Sequence, residues 1–302
     1  MPWTTVDIPD QQGRVALITG ANSGLGLETT RVLLAKGATV IMACRSRLRG
    51  EAVRQKLLHE HNSACLDLLE LDLADLNSVR RAAGELHHNY GRLDLLFNNA
   101  GVMAPPRRLS EQGFELQFAV NHLGHMALTQ LVLPLMETQA SARVVSVSSG
   151  AHYFARINWT DLQGEVAYNR WQAYAQSKLA NIMFALELNG RLRNRNSSVS
   201  CLAAHPGLAR TNLQSSSVAA NGSWQESLAY KLMAPLFQSA AMGALPQLHA
   251  ATAASALGGE LYGPGGPGNL RGFPTLCPIA PAALKADERE RLWTISQELC
   301  GC

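Results

Sequence analysis

The chain has 302 residues, of which 47% are apolar and 16% charged, with a formal net charge of +3. That composition suits one large α/β domain or two small ones. The charge is too small to imply a nucleic-acid partner, and no basic arm with interleaved aromatics is present. Arg191, Arg193 and Arg195 read as a helix C-terminus, where cations are favoured.

RVALIT (14 to 19) is a short apolar run ending in a glycine-rich turn, which predicts a buried strand. Leu25 to Ala35 follows as a helix closed by Gly37, and ATVIMAC (38 to 44) as a second strand. Strand, turn, helix and strand within so short a span make a βαβ unit. The alternation continues with a helix at 47 to 60 and the strand CLDLLELDL, then a helix from Asn77 to Asn89 and the strand LDLLFNN. A long helix from Phe114 to Thr138 leads to RVVSVSS (143 to 149), and a helix at 170 to 192 leads to SVSCLAAHPG. These elements predict an α/β fold: a single-domain, Rossmann-type, doubly wound parallel sheet in three layers (α/β/α). Its ligands are expected at the carboxyl ends of the strands.

The last hundred residues change character. Residues 208 to 259 are rich in Ala, Ser, Gly and Gln and predict helices, buried or forming a lid. GELYG reads as a short strand, GPGGPGNLRGFP (263 to 274) as a loop, and Ala282 to Leu299 as a charged closing helix. The whole chain is expected to form one domain. Its cofactor-binding part spans about 14 to 150, with a substrate insert and lid at 150 to 172 and 208 to 259.

Residues 1 to 14 are polar and show no signal-peptide pattern. The longest uncharged stretch, Leu232 to Gly259, contains Pro235 and Pro246 and reads as globular helix rather than a membrane span. The expectation is a cytoplasmic chain without a transmembrane segment. The six cysteines, Cys44, Cys65, Cys201, Cys277, Cys300 and Cys302, form no C-x-x-C pair, and three sit in apolar runs that look like buried strands. Free thiols in a reducing compartment are expected, with Cys300 and Cys302 flexible and open to oxidation. His122, His125, His152 and His205 lack metal-ligand spacing with acidic partners, so no metal site is expected.

The first turn reads Thr19-Gly20-Ala21-Asn22-Ser23-Gly24-Leu25-Gly26. Gly20 permits the tight turn, Gly24 lets backbone approach a pyrophosphate, and Gly26 lets helix and strand pack closely. The helix N-terminus adds N–H groups and positive dipole for phosphates. No Asp or Glu stands between Ala38 and Gly50, where an acid would take a ribose 2′-hydroxyl. Arg45 stands there instead, which suits the 2′-phosphate of NADP(H) better than NAD(H). Tyr174 and Lys178 are four apart on one helical face. An ammonium beside a phenol favours the phenolate and makes a proton donor and acceptor for alcohol and carbonyl chemistry.

With Asn98-Asn99-Ala100-Gly101, FAVNHLGH, RVVSVSS, Tyr174-Ala175-Gln176-Ser177-Lys178 and Pro206-Gly207 in this order, the chain resembles a classical short-chain dehydrogenase/reductase over nearly its whole length. Twenty-five positions separate Ser149 from Tyr174. The long insert between them, HPGLARTNL and YGPGG resemble retinol-dehydrogenase-like and WW-domain-oxidoreductase-like members. The resemblance implies Asn121, Ser149, Tyr174 and Lys178 as catalytic residues, with Ser148 the lesser match for the serine. It implies a cofactor held by Gly20, Asn22, Ser23, Gly24, Leu25, Gly26, Arg45, Asp72, Leu73, Asn99, Ala100, Gly101, Tyr174, Lys178, Pro206, Gly207 and Thr211. The implied reaction interconverts a hydrophobic alcohol and its aldehyde or ketone. In it Ser149 holds the substrate oxygen, Tyr174 passes the proton, Lys178 lowers the tyrosine pKa, and Asn121 holds a relay water. Family members pair through the helices carrying Asn121 and Tyr174, which allows a homodimer or homotetramer. Two rivals stay open: an NADP-sensing scaffold without turnover, and a protochlorophyllide-reductase-like enzyme. Trp159, Trp171, Phe154 and Phe237 are candidates for an apolar pocket.

Overall fold

The computed structural model describes residues 2–61, 64–210 and 237–301. The first half follows the predicted alternation: β1 (Val15–Thr19), α1 (Gly24–Ala35), β2 (Thr39–Cys44), α2 (Arg47–Glu60), β3 (Leu66–Glu70), α3 (Leu76–Asn89) and β4 (Leu95–Asn98). After two short helical pieces described below come α5 (Gly124–Glu137), β5 (Arg143–Val147), α6 (Arg170–Asn194) and β6 (Ser200–Ala204). The last described stretch holds α7 (Ala240–Thr252), β7 (Leu261–Pro264), β8 (Pro274–Leu276), α8 (Pro281–Leu284) and α9 (Ala286–Cys300).

The eight strands among the described residues form one sheet in the order β3-β2-β1-β4-β5-β6-β7-β8. Every neighbouring pair is parallel except β7 with β8. The chain winds outward from β1 to β3, then crosses back to place β4 on the other side of β1. The switch point therefore lies between β1 and β4, where ligands of such sheets bind.

Period-two alternation builds the layers. In β1, Ala16 and Ile18 join Leu33 and Leu34 of α1 and Leu248 of α7 on one face. Val15 and Leu17 join Leu128 of α5, Ile182 of α6 and Leu292 of α9 on the other. A fully buried strand thus reads as a continuous apolar run because each face meets a helical layer. Helix starts are set by side chains that accept backbone N–H groups. Ser46 caps α2, Asp75 caps α3 and Asn169 caps α6.

Five expectations about elements and cysteines need correction. The single helix from Phe114 to Thr138 is broken. A short α4 (Leu116–Phe118) runs into a π-helical turn, Ala119–Leu123, before α5 begins. The Glu115 carboxylate starts it by accepting from Gln117 N and Phe118 N at 3.0 and 2.7 Å. The glycine–proline loop runs into an unexpected strand, β8, whose first residue Pro274 is tolerated because it is an edge strand. The closing helix is split at Lys285 into α8 and α9. Cys65 stands exposed just before β3, whereas Cys44 and Cys201 lie buried in strands.

Cys300 is not flexible. It is 1% exposed, its Sγ lies 3.4 Å from Leu123 O, and its carbonyl accepts from Arg80 Nη2 at 2.8 Å. Cys302, Thr211 and most of the expected lid lie outside the described residues. The part of the 208 to 259 stretch that is described includes α7, buried from Gly243 to Thr252. Among the described residues no helix is long and apolar enough to cross a membrane.

Phe97 in β4 is fully buried beneath this arrangement and pairs in register with Ile18. Phe97→Ala is expected to cost about 3–5 kcal/mol, the usual range for such a cavity. Chemical denaturation of both proteins measures it.

Candidate active site

The glycine turn leaves β1 at Thr19. Gly20 has φ 67° and Gly24 φ 53°, conformations that favour glycine. A Cβ on Gly26 would stand 2.4 Å from Gly20 O and 2.7 Å from Asn99 Nδ2. Close packing of helix on turn therefore fixes that third glycine. Ser23 occupies the N-cap of α1 but makes no cap hydrogen bond, unlike the caps of α2, α3 and α6. The first N–H groups of α1 thus lack a side-chain acceptor among the described residues, which fits a phosphate at this helix end. Asn22 lines the same turn, and Leu25 is buried below it.

The Asn98–Gly101 step sits beside this turn. Asn99 N and Ala100 N each donate to Thr19 Oγ1 at 2.9 Å, and Asn99 Nδ2 donates to Thr19 O at 2.7 Å. Asn99 Oδ1 is buried without a hydrogen-bond partner among the described residues. A buried acceptor left unpaired is costly and marks a place where a ligand donor fits.

Arg45 is exposed immediately after β2, next to the strand pair that carries the turn. Its side chain makes no hydrogen bond or ion pair among the described residues. At the end of β3, Asp72 Oδ1 accepts from Ala74 N at 2.9 Å and Asp72 N donates to Ser78 Oγ at 3.0 Å. Leu73 is buried against Gly124, where an added Cβ would meet Leu73 O at 2.5 Å. After β6, Gly207 has φ 61°, and Pro206 O accepts from Gln238 Nε2 at 2.8 Å.

Asn121, Ser149, Tyr174 and Lys178 converge at the ends of β4 and β5. Asn121 lies in the π-helical turn and is fully buried. Its Oδ1 accepts from Val102 N at 2.8 Å, and its Nδ2 donates to Val102 O and to Ser177 Oγ at 3.0 and 2.9 Å. Single π turns in helices occur mostly at functional sites. Lys178 is 4% exposed and donates from Nζ to Val147 O at 3.1 Å. An added Cβ on Gly101 would stand 3.0 Å from Asn121 Oδ1 and 3.4 Å from Lys178 Nζ. Lys178 Nζ is 5.9 Å from the centre of the Tyr174 ring.

The structure separates the two serines. Ser148 Oγ donates to Lys178 O at 2.7 Å and is buried in the sheet–helix joint. Ser149 is partly exposed and faces the Tyr174 hydroxyl closely enough to lower its pKa. Ser149 is therefore the one that reaches the tyrosine.

Burial dominates the electrostatics. It pushes the Tyr174 phenol above its ordinary value, and Ser149 works against that. Burial pushes the Lys178 ammonium down to about 8. The sequence expectation that Lys178 lowers the tyrosine pKa is not met in this arrangement. The ammonium is engaged with Val147 O, and burial is the dominant influence on the phenol.

A cleft of about 450 Å³ opens on the other side of α6. Gln172 and Gln176 line it, and each lies 200° round the helix from Tyr174. The long insert forms its wall, with Phe154 93% exposed at its edge. The four aromatics do not gather into one pocket. Trp159 lies under the Arg291 guanidinium at 4.4 Å, and Trp171 is half exposed beside Arg170. No cluster of potential metal ligands exists among the described residues.

A family model for short chain dehydrogenases matches residues 14–222. The chain belongs to the short-chain dehydrogenase family. Human retinol dehydrogenase 12 (Homo sapiens) is 38% identical over 304 residues, covering 99% of this chain and 89% of the relative. Mouse retinol dehydrogenase 14 (Mus musculus) is 48% identical over 211 residues, covering 67% and 63%. A crystal structure of an uncharacterized protein from Mycobacterium paratuberculosis superposes with a TM-score of 0.82 at 39% identity, covering 100% of this chain and 98% of that one. Within the short-chain dehydrogenases the chain falls in the retinol-dehydrogenase-like subgroup. It is an NAD(P)-dependent oxidoreductase acting on alcohol and carbonyl groups.

Sequence reasoning missed Ser177 and the role of Thr19, which bonds to both residues of the Asn99–Ala100 step. The first glycine turn begins with that threonine, so its place was visible even though its partners were not.

The glycine turn generates a test. Gly26→Ala forces a Cβ onto Gly20 O, a backbone atom with little room to yield. Overpacking of this kind costs about 1–3 kcal/mol. A lower melting temperature and weaker NADPH binding by fluorescence titration are expected together.

Proposed function

We propose that the protein is an NADP(H)-dependent enzyme that interconverts a hydrophobic alcohol and its aldehyde or ketone. The observation that carries this reading is the convergence of Ser149, Tyr174, Lys178 and Asn121 beside the glycine turn. The hydrophobic class rests on the relatives, whose names make them retinol dehydrogenases. Four free thiols, Cys44, Cys65, Cys201 and Cys277, support a reducing, cytoplasmic setting.

The residues suit a dinucleotide. The uncapped start of α1 would take the phosphates, Asn99 Oδ1 would accept from a donor, and Arg45 would meet the 2′-phosphate. When bound, the nicotinamide supplies or accepts the hydride. The chain's own residues hold the substrate and move the proton. Ser149 Oγ holds the substrate oxygen. The Tyr174 hydroxyl, kept protonated by burial, donates to that oxygen during reduction and takes the proton back during oxidation. Lys178 would hold the nicotinamide ribose and resupply the proton, and Asn121 fixes the turn beside it. Asp72, Leu73, Gly101, Pro206 and Gly207 would shape the walls. Pairing of two copies through α5 and α6 would have to use faces that α9 leaves open. α9 lies on both helices, with Trp293 stacked 5.9 Å from Phe184 and Gln297 Nε2 donating to Gln130 Oε1 at 3.3 Å.

Tyr174→Phe removes only the hydroxyl. NADPH binding is expected to survive while aldehyde reduction falls by about 10²–10⁴. Steady-state rates with retinal and decanal, beside NADPH titration, check it. Full binding without turnover in the wild type would favour the sensing scaffold.

Cofactor choice is read at Arg45. A guanidinium suits phosphate, and a carboxylate there would repel it. Hydrogen bonds to charged groups contribute about 1.5–3 kcal/mol, on the order of ten- to a hundredfold in affinity. The wild type is expected to prefer NADPH, and Arg45→Asp to prefer NADH. Equal wild-type affinities for the two cofactors would overturn the NADP assignment.

A further inference from the structure

His125 lies four residues after Asn121, on the same helical face, and is 2% exposed. Its Nδ1 is 3.0 Å from Asn121 O, and its Nε2 is 2.9 Å from Thr19 Oγ1. Burial pushes the imidazole down to about 4, with the Lys178 charge adding to the effect, so the ring is neutral at pH 7 and carries one proton. A carbonyl only accepts, so that proton sits on Nδ1 and points to Asn121 O. Nε2 is then an acceptor, and it has no partner but Thr19 among the described residues.

The threonine completes the count. Its hydroxyl has one proton and two lone pairs. Asn99 N and Ala100 N take the lone pairs, each at 2.9 Å. The proton has two acceptors in reach, His125 Nε2 at 2.9 Å and Phe97 O at 3.1 Å. Giving it to Nε2 satisfies a buried nitrogen that nothing else serves. The result is one closed chain of hydrogen bonds. It runs from the Asn99–Ala100 backbone through Thr19 and His125 to the carbonyl of Asn121.

We propose that His125 is a positioning residue for the reaction: it locks the turn carrying Asn121 to the strand end carrying Thr19 and the Asn99–Ala100 step. This rests on the reading that Asn121, Tyr174 and Lys178 act together. The two ends it joins belong to different jobs. Thr19 starts the glycine turn, and Asn121 stands beside the buried ammonium. A π turn is a locally irregular piece of helix. Its register is set by side-chain bonds such as this one. A misplacement of about 1 Å at such a point can cost on the order of a hundredfold in rate.

Two substitutions divide the two bonds. His125→Asn keeps an N–H near the Nδ1 position and so the clamp on Asn121. His125→Gln reaches the Nε2 position and keeps only the link to Thr19. Each variant breaks the bridge at one end, so we expect both to lose about ten- to a hundredfold in kcat for decanal reduction. The KM for NADPH of each should stay within about twofold of the wild type. Imidazole ¹⁵N–¹H correlation spectra of the wild type, which need no turnover, should show the Nδ1–H tautomer.

An Nε2–H tautomer overturns the proposal. So does equal, near-normal kcat in both variants with only their melting temperatures lowered. Tyr174→Phe, run in the same assay, tests the underlying reading separately. Normal turnover there sinks the reading, while the tautomer still reports whether the hydrogen-bonded chain exists.

Discussion

The site depends on the seam where β1 and β4 lie side by side. The chain makes β1, β2 and β3 outward in one direction, then returns to lay β4 against the free edge of β1. That crossover parts the connections on either side and opens a crevice at the carboxyl ends. Thr19 and the Asn98–Gly101 step end up within hydrogen-bond reach across it, although about eighty residues separate them in sequence. Gly20 and Gly26 are needed because backbone atoms approach there too closely for a side chain. The turn that faces phosphate and the step that leads to the tyrosine are thus parts of one packed joint.

Burial then decides the chemistry. Tyr174, Lys178, His122 and His125 are all withdrawn from water, and in each case desolvation is the largest influence on the titration. The phenol is held protonated and the ammonium is brought down to about 8. A proton donor that stays loaded and a lysine that gives up its proton near neutrality suit reversible alcohol–carbonyl chemistry. A surface Tyr and Lys at the same spacing would have neither property. The Y-x-x-x-K pattern alone therefore says little. Its force comes from the sheet that buries it.

Much of this was legible in the sequence. Fully buried parallel strands give continuous apolar runs, and the glycine turn stood between a strand and a helix, so β1, α1, β2 and the cofactor end of the site were readable. Tyr174 and Lys178 followed from helical spacing, and Ser149, with Ser148 as the lesser match, from the family resemblance of RVVSVSS. What was not legible depends on distant partners. Ser148 and Ser149 look alike in the chain, and only the bond from Ser148 Oγ to Lys178 O separates them. The π turn cannot be seen in AVNHL, whose apolar pattern continues the helix on both sides. β8 was hidden because an edge strand needs no apolar alternation and accepts proline.

The C-terminal helix shows why the π turn is stable where it is. α9 packs on α5, on α6 and on the turn itself. Ser296 Oγ is 2.8 Å from His122 Nε2, the residue next to Asn121, and Cys300 Sγ is 3.4 Å from Leu123 O. Trp293 stacks on Phe184 of α6 with the rings 6° from parallel, and the Arg191 guanidinium lies 4.6 Å from the centre of the Trp293 ring. Burial also keeps His122 neutral, pushed down to about 3, so its contact with Ser296 is an ordinary neutral hydrogen bond rather than a charged one. The irregular turn is therefore held from two sides. His125 ties it inward to the strand ends, and α9 covers it from outside. An irregular helical segment with polar side chains in a core is costly unless each polar group is paired. Here the pairing comes from elements at opposite ends of the chain, β1 and α9, and the position of Asn121 is a property of the whole fold rather than of its own helix.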